Sequence, residues 1–346
     1  MQHSNELTTT WQTPSNIAIV KYWGKREVQE PVNPSISFSL SEARTTTKVT
    51  TTPSEKGSFI FLLEEKEISG FDKKIRKFLE LVQRRLPLIK NHFLKIESSN
   101  TFPHSTGIAS SASAMSALAF CLADLQQQIN GKHPLDISEV SSLARLGSGS
   151  AARSVYGGWN LWGQLPEIPE SSNNYAIPAP VSVASVFQNL HDDILLVNST
   201  TKPVSSSAGH ALMNNHPYRD GRIIQAHKNT LTLLKHLETG NLDGFIELAE
   251  SEALSLHALM MSSSPSYTLL QPNSISLIEK IREYRKTKDI PVCFTMDAGP
   301  NIHLLYPHEF SEEVKNWEAQ QLKPLCEEGR IIRDFVGKGP QKIINS

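Results

Sequence analysis

The residues best placed to do chemistry fall into four short segments spread along a chain of 346 residues. In the first, Lys21, Lys25 and Arg26 cluster at the end of the apolar run SNIAIVKY (15–22). Such a cluster neutralises phosphates, and it equally suits a solvated strand end. The second is Pro103-His-Ser-Thr-Gly107-Ile-Ala109-Ser110-Ser111-Ala112, a glycine and small residues at the mouth of an apolar helix. Free backbone N–H groups and the helix dipole favour an anion there, although serines also open helices as ordinary caps. The third is Gly147-Ser148-Gly149-Ser150-Ala151-Ala152-Arg153. Its small residues and guanidinium suit a carboxylate or phosphate, or merely a turn between helices with a surface arginine. The fourth, Asp297-Ala-Gly299-Pro-Asn301, puts an acid in a tight turn between two apolar strands. An acid there can serve as a general base or a metal ligand, and turns of this composition are also common without function.

Other chemistries are excluded at the level of motifs. There is no G-x-x-x-x-G-K-[ST] phosphate loop and no G-x-S-x-G elbow. The stretch 147–152 formally reads GxGxxA, with Glu170 at about the acidic spacing of a dinucleotide fingerprint, but it follows an amphipathic helix instead of a strand. His210, His216, His227 and His257 lack metal-ligand spacing and read as ordinary polar or half-buried positions. Cys121, Cys293 and Cys326 are far apart and form no CxxC pair, which fits a reducing cytoplasm.

The elements that must position these segments follow from periodicity. Strands are expected at 15–22, 35–40, 44–52 and 58–63, the last pairing as a meander, and at 93–97. Ile75, Phe78, Leu79, Val82 and Leu86 recur at helical spacing within 71–86. An Ala-rich helix runs to about Gln128 and is closed by Asn130–Gly131. A second spans 135–146, with Asp136 or Ser138 as its cap. Residues 164–180 read as a loop. In the second half, strands at 194–198, 292–296, 302–306 and 331–336 accompany helices at 222–237, 242–260, 273–287 and 311–327. Sheet then helices, followed by a mixed half, is an α+β pattern, with a boundary near 185–192.

Composition sets the outer bounds. Hydrophobic residues make up 39% and charged residues 20%, enough for a sizeable core. With 34 basic and 35 acidic residues the net charge is −1, so a general nucleic-acid binder is not expected and any anion site must be built locally. The longest apolar runs, 59–63 and 194–197, fall far short of the ~20 residues that span a bilayer. The polar start carries no signal-peptide pattern, so a cytoplasmic protein with no membrane association is expected.

Individually modest, the four segments occur together in one order, and the combination resembles the mevalonate diphosphate decarboxylase family of the GHMP kinase superfamily along nearly the whole chain. The resemblance rests on Asn16-Ile-Ala18, Lys21-Tyr22-Trp23-Gly24-Lys25-Arg26, 33–40, Asn100-x-Phe-Pro103 through Ala112, Gly147-Ser-Gly-Ser-x-x-Arg153-Ser-x-Tyr-Gly-Gly158, Val204-Ser-Ser206 and Asp297-Ala-Gly-Pro-Asn301. It implies a GHMP kinase fold, an N-terminal domain (1–190) with a left-handed β-α-β crossover and a ferredoxin-like C-terminal domain (191–346), with the site in the cleft between them. The implied reaction phosphorylates the 3-hydroxyl of mevalonate 5-diphosphate with MgATP, then loses phosphate and CO2 to give isopentenyl diphosphate.

The resemblance also implies roles. Asp297 matches the catalytic base, Lys21 the charge beside it, and Arg153 the holder of the substrate carboxylate. Tyr22, Trp23, Gly24, Lys25, Lys74, Ser148, Gly149, Ser150, Ala151, Ala152, Ser206 and Ser207 correspond to substrate-binding positions. Pro103, Gly107, Ala109, Ser110 and Ser111 would hold the ATP phosphates, with Ser99 and Asn100 nearer the nucleoside. Mg2+ accompanies the nucleotide and no residue is assigned to it. A homodimer is what the resemblance suggests. Departures are Lys74 where the family usually has Arg, Pro34 within Asn-Ser-Ser, Glu27 for Asp, Ala152 for Cys and Ser207 where some members have Arg. The rival is a GHMP kinase that phosphorylates mevalonate or a relative and stops, which would need no grip from Arg153.

Overall fold

The computed structural model describes residues 6–68, 70–102, 108–131, 136–200, 204 and 206–344, the side chains of Glu27 and Ser206 apart. In the first half, β1 (Leu7–Val20), β2 (Ser35–Pro53), β3 (Ser58–Leu63), α1 (Phe71–Val82), α2 (Leu88–Asn91), β4 (His92–Asn100), α3 (Ser110–Asn130), α4 (Ile137–Gly147), β5 (Trp159–Trp162) and β6 (Ala176–Pro178) follow one another. After α5 (Ser185–Gln188) come β7 (His191–Leu195), α6 (Ser206–Leu212), α7 (Arg219–Thr239), α8 (Leu242–Met261), α9 (Pro272–Lys288), β8 (Cys293–Thr295), β9 (Ile302–Tyr306), α10 (Ser311–Trp317), β10 (Ile331–Phe335) and β11 (Gln341–Lys342). One sheet runs β11-β1-β2-β4-β3, with β5 and β6 continuing from the first part of β2; the other runs β10-β7-β9-β8.

The segments expected at 35–40 and 44–52 are one strand, β2, whose first part pairs β5 and whose second part pairs β4. The strand at 58–63 does not join a meander. It pairs in parallel with β4, which lies between it and β2. The reason is the intervening α1, whose apolar face (Ile75, Phe78, Leu79, Val82) needs a sheet to cover, so the chain makes a crossover instead of a hairpin. Strand β1 begins eight residues before the apolar run, because its threonines are β-branched and pair with those of β2. Its register shifts at Pro14/Asn16 and again at Ala18/Val20. Such irregularities re-aim a strand end, here the one carrying Lys21. The helix expected over 311–327 is α10 followed by π and 3-10 turns. The Asp136 cap of α4 is made as a capping box with Glu139.

Core packing welds the two sheets together. Helices α1, α3 and α4 cover one face of the first sheet. A second cluster joins Ile17, Phe38 and Trp159 of that sheet to Phe187, Ile194, Leu233 and Phe245 beyond residue 184. Helix α8 touches both β1 and β8, and β11 returns the end of the chain to pair with β1. One apolar cluster therefore runs from the first sheet to the second. Among the described residues no helix is long and apolar enough to cross a membrane.

Candidate active site

Three of the four segments converge, with the described part of the fourth, on one cavity of about 400 Å3. Its lining includes Asn16, Lys21, Tyr22, Trp23 and Lys25 from the end of β1, Lys74 from α1, and Ala109, Ser110 and Ser111 at the mouth of α3. Gly147 ends α4 and Ser148, Gly149, Ser150 and Arg153 follow it, while Ser207, His210, Asp297 and Ala298 close the cavity from the other side.

At its floor Lys21 Nζ lies 3.2 Å from Asp297 Oδ1 and also donates to the carbonyl of Ala18. The Lys21 side chain is 2% exposed and that of Asp297 30%, so the lysine is inside the protein and the acid faces the cavity. Burial lowers the Lys21 pKa from its ordinary value, opposed by the negative charges of Asp297 and Glu252. Asp297 sits in the turn between β8 and β9, and His257 Nε2 is 3.1 Å from its carbonyl oxygen, a backbone hold on the turn.

Arg153 is 3% exposed. Its Nε donates to Asn16 Oδ1 at 3.2 Å and its Nη1 to Ser35 Oγ at 2.6 Å. Asn16 in turn donates to Ser154 Oγ at 2.7 Å, so the guanidinium is fixed before any ligand arrives. Burial lowers its pKa to about 10, opposed by Asp297 and Tyr22, and the group stays cationic at neutral pH. Gly149 is required beside it, since a Cβ there would stand 2.7 Å from the Tyr22 hydroxyl.

The opposite rim is basic. Lys74 Nζ donates to Ser111 Oγ at 2.9 Å, and burial with Lys25 nearby lowers its pKa to about 8. Lys25 is half-buried, 3.5 Å from Ser207 Oγ. Ala109 enters α3 with a left-handed backbone (φ 40°), a conformation costly for a residue with a Cβ and concentrated at functional sites. The first turn of α3 thus presents its N–H groups and two hydroxyls to the same space as Lys74.

Some expected residues lie elsewhere. Pro103 and Gly107 are outside the described residues, as are Val204's neighbour Ser205 and the side chain of Ser206. Ala151 and Ala152 are buried within the 3-10 turn Gly149–Ala152 and do not line the cavity. Ser99 and Asn100 stay in β4, which pairs with β2 to its end; Asn100 Oδ1 accepts from Thr45 Oγ1 at 2.6 Å, and neither lines the cavity. Arg26 is exposed.

Asn33, within the 33–40 segment, donates to Lys21 O at 2.9 Å, but motif reading missed the other two residues that hold the Lys21 backbone. Arg222 of α7 and Glu252 of α8 form a two-point ion pair at 2.7 Å for each contact. Glu252 Oε2 accepts from Lys21 N at 2.9 Å, and Arg222 Nη2 donates to Lys21 O at 3.0 Å. Both backbone groups of Lys21 are thus held by one buried pair from the far wall, with Asn229 also donating to Glu252 at 2.6 Å. A signal existed: Glu252 lies four residues from both Leu248 and Leu256, on the apolar stripe of its helix. His210, read as an ordinary histidine, also lies in the lining.

A cleft with a basic rim and a carboxylate at its floor, on this mixed fold, suits an enzyme of the GHMP kinase class. Residues 13–174 match the diphosphomevalonate decarboxylase-like N-terminal domain and residues 193–341 the mevalonate 5-diphosphate decarboxylase C-terminal domain. A diphosphomevalonate decarboxylase of Ganoderma lucidum is 32% identical over 326 residues, covering 88% of this chain and 80% of that one. The mevalonate diphosphate decarboxylase of Staphylococcus aureus superposes with a TM-score of 0.85 at 28% identity, over 98% of each chain. A complex of MDDEF with MVAPP, AMPPCP and magnesium superposes with a TM-score of 0.83 at 28% identity, over 98% of this chain and 100% of that one. The chain belongs to the diphosphomevalonate decarboxylase family.

Replacing Glu252 by Ala leaves Arg222 charged, buried and unpaired. Such losses cost roughly 3–5 kcal/mol. Denaturant unfolding of Glu252→Ala should show a loss of that order, and a change under about 1 kcal/mol would mean that the pair carries no structural role.

Proposed function

We propose that this cleft carries out ATP-dependent decarboxylation of mevalonate 5-diphosphate to isopentenyl diphosphate, with ADP, phosphate and CO2 as the other products. The observation that carries the reading is the simultaneous presence of a carboxylate at the floor, a pre-fixed buried guanidinium beside it and a basic rim at the helix mouth. A kinase alone would need the first and third but not the second.

The residues divide the work by position. Asp297 accepts the proton of the 3-hydroxyl as the hydroxyl oxygen bonds to the terminal phosphorus of ATP and the bond from that phosphorus to the bridging oxygen breaks, releasing ADP. Lys21 orients that carboxylate and offsets the negative charge gathering around it. Arg153 holds the substrate carboxylate so that the C1–C2 bond is aligned with the departing 3-phosphate. As the C3–O bond breaks, the C1–C2 electrons become the C2–C3 double bond and C1 leaves as CO2. Lys25, Lys74, Ser148 and Ser207 suit the substrate's 5-diphosphate.

The first turn of α3, with Ser110 and Ser111, fits the phosphates of ATP: free N–H groups and hydroxyls face a cavity that a lysine also lines. Magnesium usually binds through substrate phosphates with one or two carboxylates. Among the described residues no cluster of three or more His, Cys, Asp or Glu could cage a metal, and Asp297 is the carboxylate of the cavity lining. These features fit a cation brought in by the nucleotide, where it would screen phosphate charge. The complex of a relative with MVAPP, AMPPCP and magnesium supports both ligands.

With mevalonate 5-diphosphate and MgATP, ADP and CO2 should appear in equal amounts; ADP without CO2 would make the protein a kinase. Asp297→Asn should keep its fold by circular dichroism and lose at least about a hundredfold in kcat, the usual share of a general base; near-normal turnover would remove Asp297 from that role.

Lys74 is charged below about pH 8 and neutral above it. The predicted kcat/KM therefore falls as pH rises through about 8. Lys74→Arg, which keeps its charge, should carry the plateau to higher pH. Identical profiles for the two proteins would contradict a phosphate contact by Lys74.

A further inference from the structure

His210 is 8% exposed, one residue past Gly209 on α6, and it belongs to none of the four motif segments. Its Nδ1 accepts the backbone N–H of Gly24 at 2.9 Å. An imidazole nitrogen that accepts carries no proton, so the single proton of the neutral ring is on Nε2. Burial, with Lys25 and Arg153 nearby, lowers the ring's pKa to about 3, which keeps it neutral at physiological pH. Nε2 makes no hydrogen bond to any described residue.

The ring is held as firmly as the tautomer. It packs against Tyr22 and Trp23, with centroids 4.4 and 4.7 Å away. Gly209 lets α6 come this close, because a Cβ there would stand 2.6 Å from both the Trp23 ring and the Tyr267 hydroxyl. Gly24 is in the left-handed region at φ 92°, so the loop that offers the anchoring N–H has the conformation only glycine adopts easily. With Nδ1 engaged and the ring faces covered, the edge His210 contributes to the cavity lining is the one carrying Nε2.

We propose that His210 is a substrate-binding residue whose Nε2–H donates to an oxygen of the 5-diphosphate, an inference that rests on the functional reading above. The neighbours favour that group over the substrate carboxylate. Ser207 lies three residues earlier on the same helix, and its hydroxyl is 3.5 Å from Lys25 Nζ. The carboxylate has Arg153 with its own fixed partners. A neutral donor also suits the rim electrostatically. Lys25 already depresses the pKa of Lys74, and a third cation would depress both further, whereas a neutral N–H adds direction without repulsion.

Two variants separate the donor from the anchor. Asn in place of His210 can still accept from Gly24 through Oδ1 but has no donor at the Nε2 position. Gln places an amide N–H near that position. Calorimetric titration would use mevalonate 5-diphosphate, isopentenyl diphosphate (which keeps the diphosphate and lacks the carboxylate) and a non-hydrolysable ATP analogue. His210→Asn should bind both diphosphates at least about tenfold more weakly, the scale of a hydrogen bond to a charged group, with the nucleotide analogue unaffected. His210→Gln should recover most of the loss. Unchanged diphosphate affinity in His210→Asn would overturn the proposal. So would a loss confined to mevalonate 5-diphosphate, which would place the donor on the carboxylate, or a Gln variant no better than Asn, which would make the role structural. Wild-type protein that binds neither diphosphate would overturn the functional reading itself, before any variant is made.

Discussion

The buried grip of Arg222 and Glu252 on the backbone of Lys21 is the interaction on which the rest of the cleft depends. Strand β1 ends at Val20, and beyond it the chain leaves the sheet with no ladder to fix it. Its next residue is nevertheless the one whose ammonium must stand against Asp297. An ion pair reaching in from α7 and α8 replaces the missing ladder, because its carboxylate takes the N–H and its guanidinium gives to the carbonyl. The same two helices pack on the shared core, so the distance between the Lys21 and Asp297 walls is set by apolar packing as well as by charge.

From that fixed point the cleft sorts its charges by depth. Lys21 and Arg153 are buried and already hydrogen-bonded, so they present fixed directions to a ligand. Lys25 and Lys74 are partly buried at the rim, where burial lowers both pKa values, with a further push from Lys77 on Lys25 and from Lys25 on Lys74. An incoming polyanion relieves that repulsion, so the cost of holding two ammonium groups together is recovered on binding. The inner groups orient a carboxylate and a hydroxyl; the outer ones hold phosphates.

Much of this was legible in the sequence, for reasons that differ from element to element. Helix α3 was legible from its Ala-rich apolar composition and its closing Gly131, α4 from its Asp136 cap, and α7, α8 and α9 from recurring apolar residues. Lys21, Arg153 and Asp297 were legible as candidates within their segments, but each segment alone also suited an ordinary turn or strand end, and their roles came from the resemblance that the segments carry together. The parallel pairing of β3 with β4 was not, since strand partners are chosen by topology and a short apolar run carries no mark of its partner. The continuity of β2 through residues 41–43 was hidden by a polar stretch whose N–H groups bond the Asp334 carboxylate, supplied from nearly 300 residues away. Glu252 and His210 were passed over because each is a single residue whose role exists only through distant chain.

The most direct test of the Lys21–Asp297 pair as one working unit is a double-variant cycle on kcat, with Lys21→Met, Asp297→Asn and the two combined. Groups that act as a unit lose most of their effect with the first substitution. The double variant should therefore be no more than a few-fold slower than the slower single variant. Penalties that multiply in full would show two independent groups, and the pairing at the floor of the cleft would then be incidental to the chemistry.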